Sequence, residues 1–239
     1  MLAIFKYFIM EMNYLGKIRR LFQLPEEESS GFSETEIAAV EQSLNIKLPA
    51  VLREYYLIIG KNEKVNDSHN KLLGPDTIYF TEDRYLVFYE ENQGVVQWGI
   101  KESDLSIGNP SVWGNYDTIQ KSAWHQETET LEDFFLSMAV YNGTLGGLLY
   151  NANSFSPVTP ETVKLIPRDW SEVPEISWEK QKVYTDNYYS VISLSFNEMN
   201  ECNAVFAGTS LEERFEKILD LPDIDWSYIS YEDMEEDEV

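Results

Sequence analysis

The stretch Tyr85-Leu-Val-Phe-Tyr-Glu-Glu-Asn-Gln-Gly-Val-Val-Gln-Trp-Gly-Ile100 reads as two strands joined by a polar turn at Asn92-Gln93-Gly94. Apolar, β-branched and aromatic residues flank a turn that Asn and Gly make without steric cost. Strict alternation sends Leu86 and Phe88 to one face of the first arm and Tyr85, Val87 and Tyr89 to the other. In the second arm Val96, Trp98 and Ile100 share a face. A ribbon apolar on nearly both sides requires cover on both, so this hairpin is expected inside a sheet, with other elements packed on it.

Outward from the hairpin, helices precede it, strands follow it, and a helix closes the chain. Phe5, Phe8, Met12, Leu15 and Phe22 predict an amphipathic helix from about Ala3 to Phe22, followed by a Glu26–Gly31 linker. Ser33-Glu-Thr-Glu36 is a capping box opening a helix with Ile37, Val40 and Leu44 on one stripe. Pro49 presets a second helix carrying Leu52, Tyr55, Tyr56 and Ile59. Lys61–Lys71 reads as a polar loop, and Gly108-Asn109-Pro110 as a loop delivering Val112 and Trp113 to an extended piece. Thr130 caps a helix bearing Phe134, Phe135, Met138 and Tyr141, which Asn142-Gly143 ends. Gly146-Gly147 marks a strand or a close backbone approach. Val163–Ile166 is expected as a short strand, Tyr188–Phe196 as a long one and Ala204–Ala207 as the last. Ser210 is expected to cap a helix with Leu211, Phe215 and Ile218, before an acidic tail. This order predicts an α+β fold: a single domain with a curved, mixed, mainly antiparallel sheet backed by helices. The divisions expected are an N-terminal helix over 1–24, the α+β domain over 31–222 and an acidic tail over 223–239.

The 239 residues hold 42 acidic and 18 basic side chains, a formal charge of −24. Six acids lie in the tail (Glu232, Asp233, Glu235, Glu236, Asp237, Glu238), so most of the excess belongs to the body. Such a chain repels nucleic acid and anionic membrane and attracts a basic partner. The single cysteine, Cys202, excludes an intrachain disulfide and fits a reducing compartment. Met1–Met10 is apolar but broken by Lys6, and Glu11 follows without a small-residue cleavage site, a poor match to a leader peptide. No run approaches the roughly 20 apolar residues of a membrane helix. A cytoplasmic location is the expectation.

Catalytic constellations are poor. His69 and His125, the only two histidines, lack metal-ligand spacing to each other or to Cys202. Gly143-Thr-Leu-Gly146-Gly147 lacks the lysine of a phosphate-binding loop. No cofactor, metal site or catalytic residue is expected. Candidate partner contacts are the acids and amide around the hairpin: Asp76, Glu82, Asp83, Glu90, Glu91 and Gln93. Trp98 is expected in the core, whereas Trp124, Trp170, Trp178 and Trp226, in polar contexts, are candidate interface anchors.

Two spaced signatures carry a family resemblance. The first is Glu36-Ile37…Glu41…Leu44-Asn-Ile46-Lys-Leu48-Pro49…Leu52-Arg53-Glu-Tyr55-Tyr56…Gly60. The second is Phe88…Glu91-Asn92-Gln93-Gly94-Val95…Trp98-Gly99-Ile100, then Asp104 and Asn109-Pro110-Ser-Val112. Together they resemble the SUKH superfamily, which includes the yeast cell-wall-synthesis regulator, Syd-like proteins and many bacterial immunity proteins. The family often has an acidic residue where Asn109 stands. The resemblance, over roughly Gly31–Tyr150, implies one non-catalytic α+β domain. It further implies an immunity protein that binds and neutralises a cognate toxin domain, frequently a nuclease, whose basic groove an acidic surface would fill. The alternative it implies is a regulatory scaffold similar to the yeast member.

Overall fold

The computed structural model describes residues 12–25, 29–117 and 123–231. The first half of the expected N-terminal helix, part of the linker and the acidic run from Glu232 onward lie outside the described residues. The helices are α1 (Tyr14–Leu21), α2 (Glu34–Leu44), α3 (Ala50–Ile59), α4 (Glu63–Asn66), α5 (Leu131–Asn142), α6 (Pro160–Leu165) and α7 (Glu212–Leu219). One sheet contains β1 (Lys71–Leu72), β2 (Tyr79–Phe80), β3 (Tyr85–Glu90), β4 (Gln97–Lys101), β5 (Val112–Asn115) and β6 (Trp124–Thr128). The other contains β7 (Tyr150–Ser154), β8 (Ser171–Glu172), β9 (Gln181–Thr185), β10 (Ser190–Phe196), β11 (Cys202–Thr209) and β12 (Tyr228–Ile229). The α+β class holds, and the expected sheet divides into two, ordered β1/β2-β3-β4-β5-β6 and β12-β7-β11-β10-β9-β8. All the described strand pairings are antiparallel.

The hairpin stands at the centre of the first sheet as β3 and β4, with Gly94 at φ 71° in its turn. Alternation along β3 is broken by an irregularity between Val87 and Tyr89. As a result Phe88 and Tyr89 both meet Phe134 of α5, at ring-centroid distances of 5.4 and 5.5 Å. Tyr89 therefore joins the core face instead of the opposite one, because a bulge adds a residue without reversing the side. Trp98 is buried as expected.

Helix α5 is the axis of the molecule. Its rings Phe134 and Phe135 are fully buried, and Phe135 stacks on Tyr55 of α3 at 3.6 Å. One core runs from α1 through α3 and α5 into both sheets, reaching Val183 and Val191. A second cluster, including Tyr184, Ile192, Leu194 and Ile218, fills the far side of β9–β11 under α6 and α7. Strands β9 and β10 thus alternate between two packed layers.

Several local readings change. Asn13 caps α1, its side chain accepting from Gly16 N–H at 2.9 Å, so the helix starts there and does not run through from Ala3. Residues 160–165 are helix, not strand: the Thr159 side chain accepts from Thr162 N–H and Pro160 takes the first turn, where it needs no partner. The Ser210 hydroxyl does not cap α7 but donates to Leu21 O at 3.0 Å, tying α1 to the C-terminal part. Beyond residue 222 the chain is not all loose, because β12 pairs with β7. The Gly146-Gly147 pair is a close approach: a Cβ on Gly147 would stand 2.2 Å from Lys64 O.

The capping box at α2 is complete, with Glu36 N–H donating to Ser33 Oγ and Ser33 N–H to Glu36 Oε2. The Ser33 N–H and hydroxyl, both donating to Glu36 Oε2, together with Lys61 hold the Glu36 carboxyl down at about 2. Ser33→Ala is expected to cost about 1 kcal/mol in urea unfolding at neutral pH. Because the carboxyl is depressed in the fold, its stabilising contribution is full above its ordinary value and fades as pH falls towards 2. The Ser33→Ala penalty should shrink with it.

A cleft between the two sheets

Helix α5 is buried on most sides, and a strip of residues four apart, Asp133, Ser137 and Tyr141, stays open. This strip floors a groove between the sheets. Strand β6, at the edge of the first sheet, forms one wall with Tyr116. The segment Pro174–Trp178 and Gln181 of β9 form the other. A cleft of about 700 Å³ narrows to a pocket of about 230 Å³ and continues as one of about 210 Å³ beside Ser193, Ser195 and Phe206. Adjacent parts share Tyr116, Glu127, Ser137 and Trp178, then Val140, Tyr141 and Gln181, so they form one groove.

Its charge is one-sided. Glu127, Glu129, Asp133 and Glu175 surround the wide part, and Glu91 and Glu127 the narrow one. Glu175 accepts from Lys17 Nζ at 2.6 Å; burial raises its carboxyl, but that lysine outweighs the effect and holds it below the usual range. Asp133, whose amide donates to the Thr130 hydroxyl, is held above the usual range by burial. The Tyr116 hydroxyl donates to Glu127, and burial together with that carboxylate raises the phenol. Aromatic surface faces the same space: Trp178 is 50% and Tyr116 54% exposed. Carboxylates set beside exposed rings favour a cationic occupant over a neutral one.

The six residues expected to meet a partner do not form one patch. Glu82 and Asp83 sit in the turn before β3, whereas Glu90 ends that strand and Glu91 and Gln93 follow it, about 20 Å away by strand rise. Asp76 lies exposed between β1 and β2. Glu90 accepts from the Tyr79 hydroxyl at 3.0 Å on the outer face. Glu91 accepts from Gln93 and Val95 N–H, closing the turn, and is the one of the six that lines the groove. Among the anchor candidates only Trp178 meets the groove. Trp170 is buried and donates to Ser190 Oγ at 2.9 Å, Trp124 stacks on Tyr85 at 4.0 Å, and Trp226 packs against the second core. Glu127 and Glu129 escaped the sequence reading because Trp124-His-Gln-Glu-Thr128 is polar on both faces. That composition hides a strand whose free edge lines a groove. Glu175 escaped it because it lies in the short turn Pro174–Ile176, which carries no periodic pattern.

His69 packs edge-on to Tyr141 and His125 is exposed on β6. Cys202 is buried in the second core, where burial pushes its thiol up to about 11, far from a reactive thiolate. Among the described residues no group of three or more His, Cys, Asp or Glu is placed to hold a metal ion, and no helix is long and apolar enough to cross a membrane. Residues 31–156 match the model of the SMI1 / KNR4 family (SUKH-1). No curated protein and no solved structure matches the chain.

Proposed function

The chain belongs to the SMI1 / KNR4 family (SUKH-1), and from that premise we infer that it is a non-enzymatic immunity protein that binds and neutralises a basic toxin domain. The observation that carries this reading is the inter-sheet groove, rimmed by Glu91, Glu127, Glu129, Asp133 and Glu175 and walled by exposed rings. A nuclease must present a positive groove to bind phosphates, and an acidic surface can occupy it in their place. Opposite potentials also speed encounter, which matters when free toxin kills the cell. Glu91 belongs to the groove; Asp76, Glu82, Asp83, Glu90 and Gln93 would be outlying contacts.

The test is coexpression with the basic toxin domain encoded beside the gene. Protection of growth and a stable complex on gel filtration are expected. Failure to bind and to protect against any adjacent toxin domain would reject the immunity reading.

A further inference from the structure

Near the middle of the groove lies an amide that the fold does not use. Asn70 is 3% exposed. Its backbone is fully engaged by Asn142: the N–H donates to Oδ1 and the C=O accepts from Nδ2, both at 2.8 Å. Its side chain is not. Asn70 Oδ1 has no hydrogen-bond partner, and Nδ2 reaches only the Met138 sulfur at 3.9 Å. A buried polar group left unpaired costs its lost hydration, so native structures keep few of them. Asn70 lines the pocket of about 230 Å³ with the carboxylates of Glu91 and Glu127 and the rings of Trp98, Tyr141 and Trp178. Among the described residues no Lys, Arg or His lines that pocket. It therefore offers an unfilled acceptor, two negative charges and flat aromatic walls, and, among the described residues, no positive charge of its own.

The geometry points to a pocket for a single arginine side chain of the partner protein, a reading that rests on the groove being the partner-binding surface. The guanidinium donates to Asn70 Oδ1, shares its charge between Glu91 and Glu127, and lies against the rings. Lysine fits less well. Its ammonium is a strongly hydrated point charge, whereas guanidinium is planar, weakly hydrated and carries five donors. Arginine also stacks on aromatic faces more readily.

The experiment uses the full chain without any toxin. N-acetyl-arginine amide, its lysine counterpart and the neutral isostere N-acetyl-citrulline amide are titrated while the indole N–H signals of Trp98 and Trp178 are followed by NMR. Arginine is expected to shift both signals and to bind at least tenfold more tightly than lysine, with citrulline producing no shift. Asn70→Ala should leave the melting temperature unchanged and weaken arginine binding about tenfold. Glu127→Gln, on the edge strand, should weaken it similarly without touching the core. Absent shifts, equal binding of arginine and lysine, or undiminished binding by Glu127→Gln would overturn the assignment. The two proposals fail separately: arginine binding without protection from any adjacent toxin keeps the pocket and rejects immunity, and protection without arginine binding does the reverse.

Discussion

Asn142→Leu is expected to lower the free energy of unfolding by about 3–5 kcal/mol, from the cost of each buried backbone group left unpaired. Asn142 is fully buried at the C-terminal end of α5. Its Oδ1 accepts from Asn70 N–H at 2.8 Å, and its Nδ2 serves Asn70 O, Val65 O and the Tyr89 hydroxyl at 2.8 to 3.0 Å. One side chain thus joins α5 to the end of α4, to the approach to β1 and to the central strand β3. Leucine matches the volume but strands an N–H and two carbonyls in the core. Against a total stability of about 5–15 kcal/mol, that loss leaves a marginal fold. Tyr89→Phe should cost only about 1 kcal/mol, since Asn142 keeps its backbone partners. Urea denaturation of the two variants measures both. A loss below 1 kcal/mol for Asn142→Leu would mean that these backbone groups find other partners.

The same residue marks the boundary of what the sequence discloses. Asn142 reads locally as the end of a helix, and the helix does end there; nothing local says that its side chain bonds residues more than seventy positions away. The legible features are those whose cause is local. Ser33 and Glu36 form their capping box, Thr130 caps α5, and Asn92-Gln93-Gly94 turns the hairpin, because each answers a backbone demand within a few residues. The misread ones have causes outside the window. Val163–Ile166 is β-branched enough to pass for a strand, yet Thr159 and Pro160 start a helix and the second core holds it. Tyr89 changes face through a bulge that alternation cannot foresee. The groove was illegible for the same reason. Asn70, Glu91, Glu127, Tyr141 and Trp178 come from five separate segments, and only the packing of two sheets on α5 brings them together. Two of these residues gave a signal: Glu91 as an acid beside the hairpin turn, and Trp178 as a large ring in a polar stretch.

Reversing two charges on the groove is the second large effect expected. Glu127→Lys with Glu129→Lys should weaken binding of the adjacent toxin domain about 100-fold, or about 2.7 kcal/mol. Steering by a charged cleft changes association rates by about 10 to 1,000-fold, so most of the loss should fall on the on-rate and should shrink as salt is raised. The fold should survive. Both residues sit at or just after edge strand β6, and the one described hydrogen bond to the Glu127 side chain comes from the Tyr116 hydroxyl. Glu82→Lys with Asp83→Lys is the matched control. It makes the same change in net charge at the opposite end of β3, where neither residue lines the groove. If charge acts through the groove, the control should weaken binding only a few-fold, through the long-range field and the outlying contacts. An equal loss from both pairs would move the interface towards the β2–β3 turn, and no loss from either would remove the electrostatic basis for a basic partner. Surface plasmon resonance at two salt concentrations separates these cases, because steering alters the association phase while a lost contact alters dissociation.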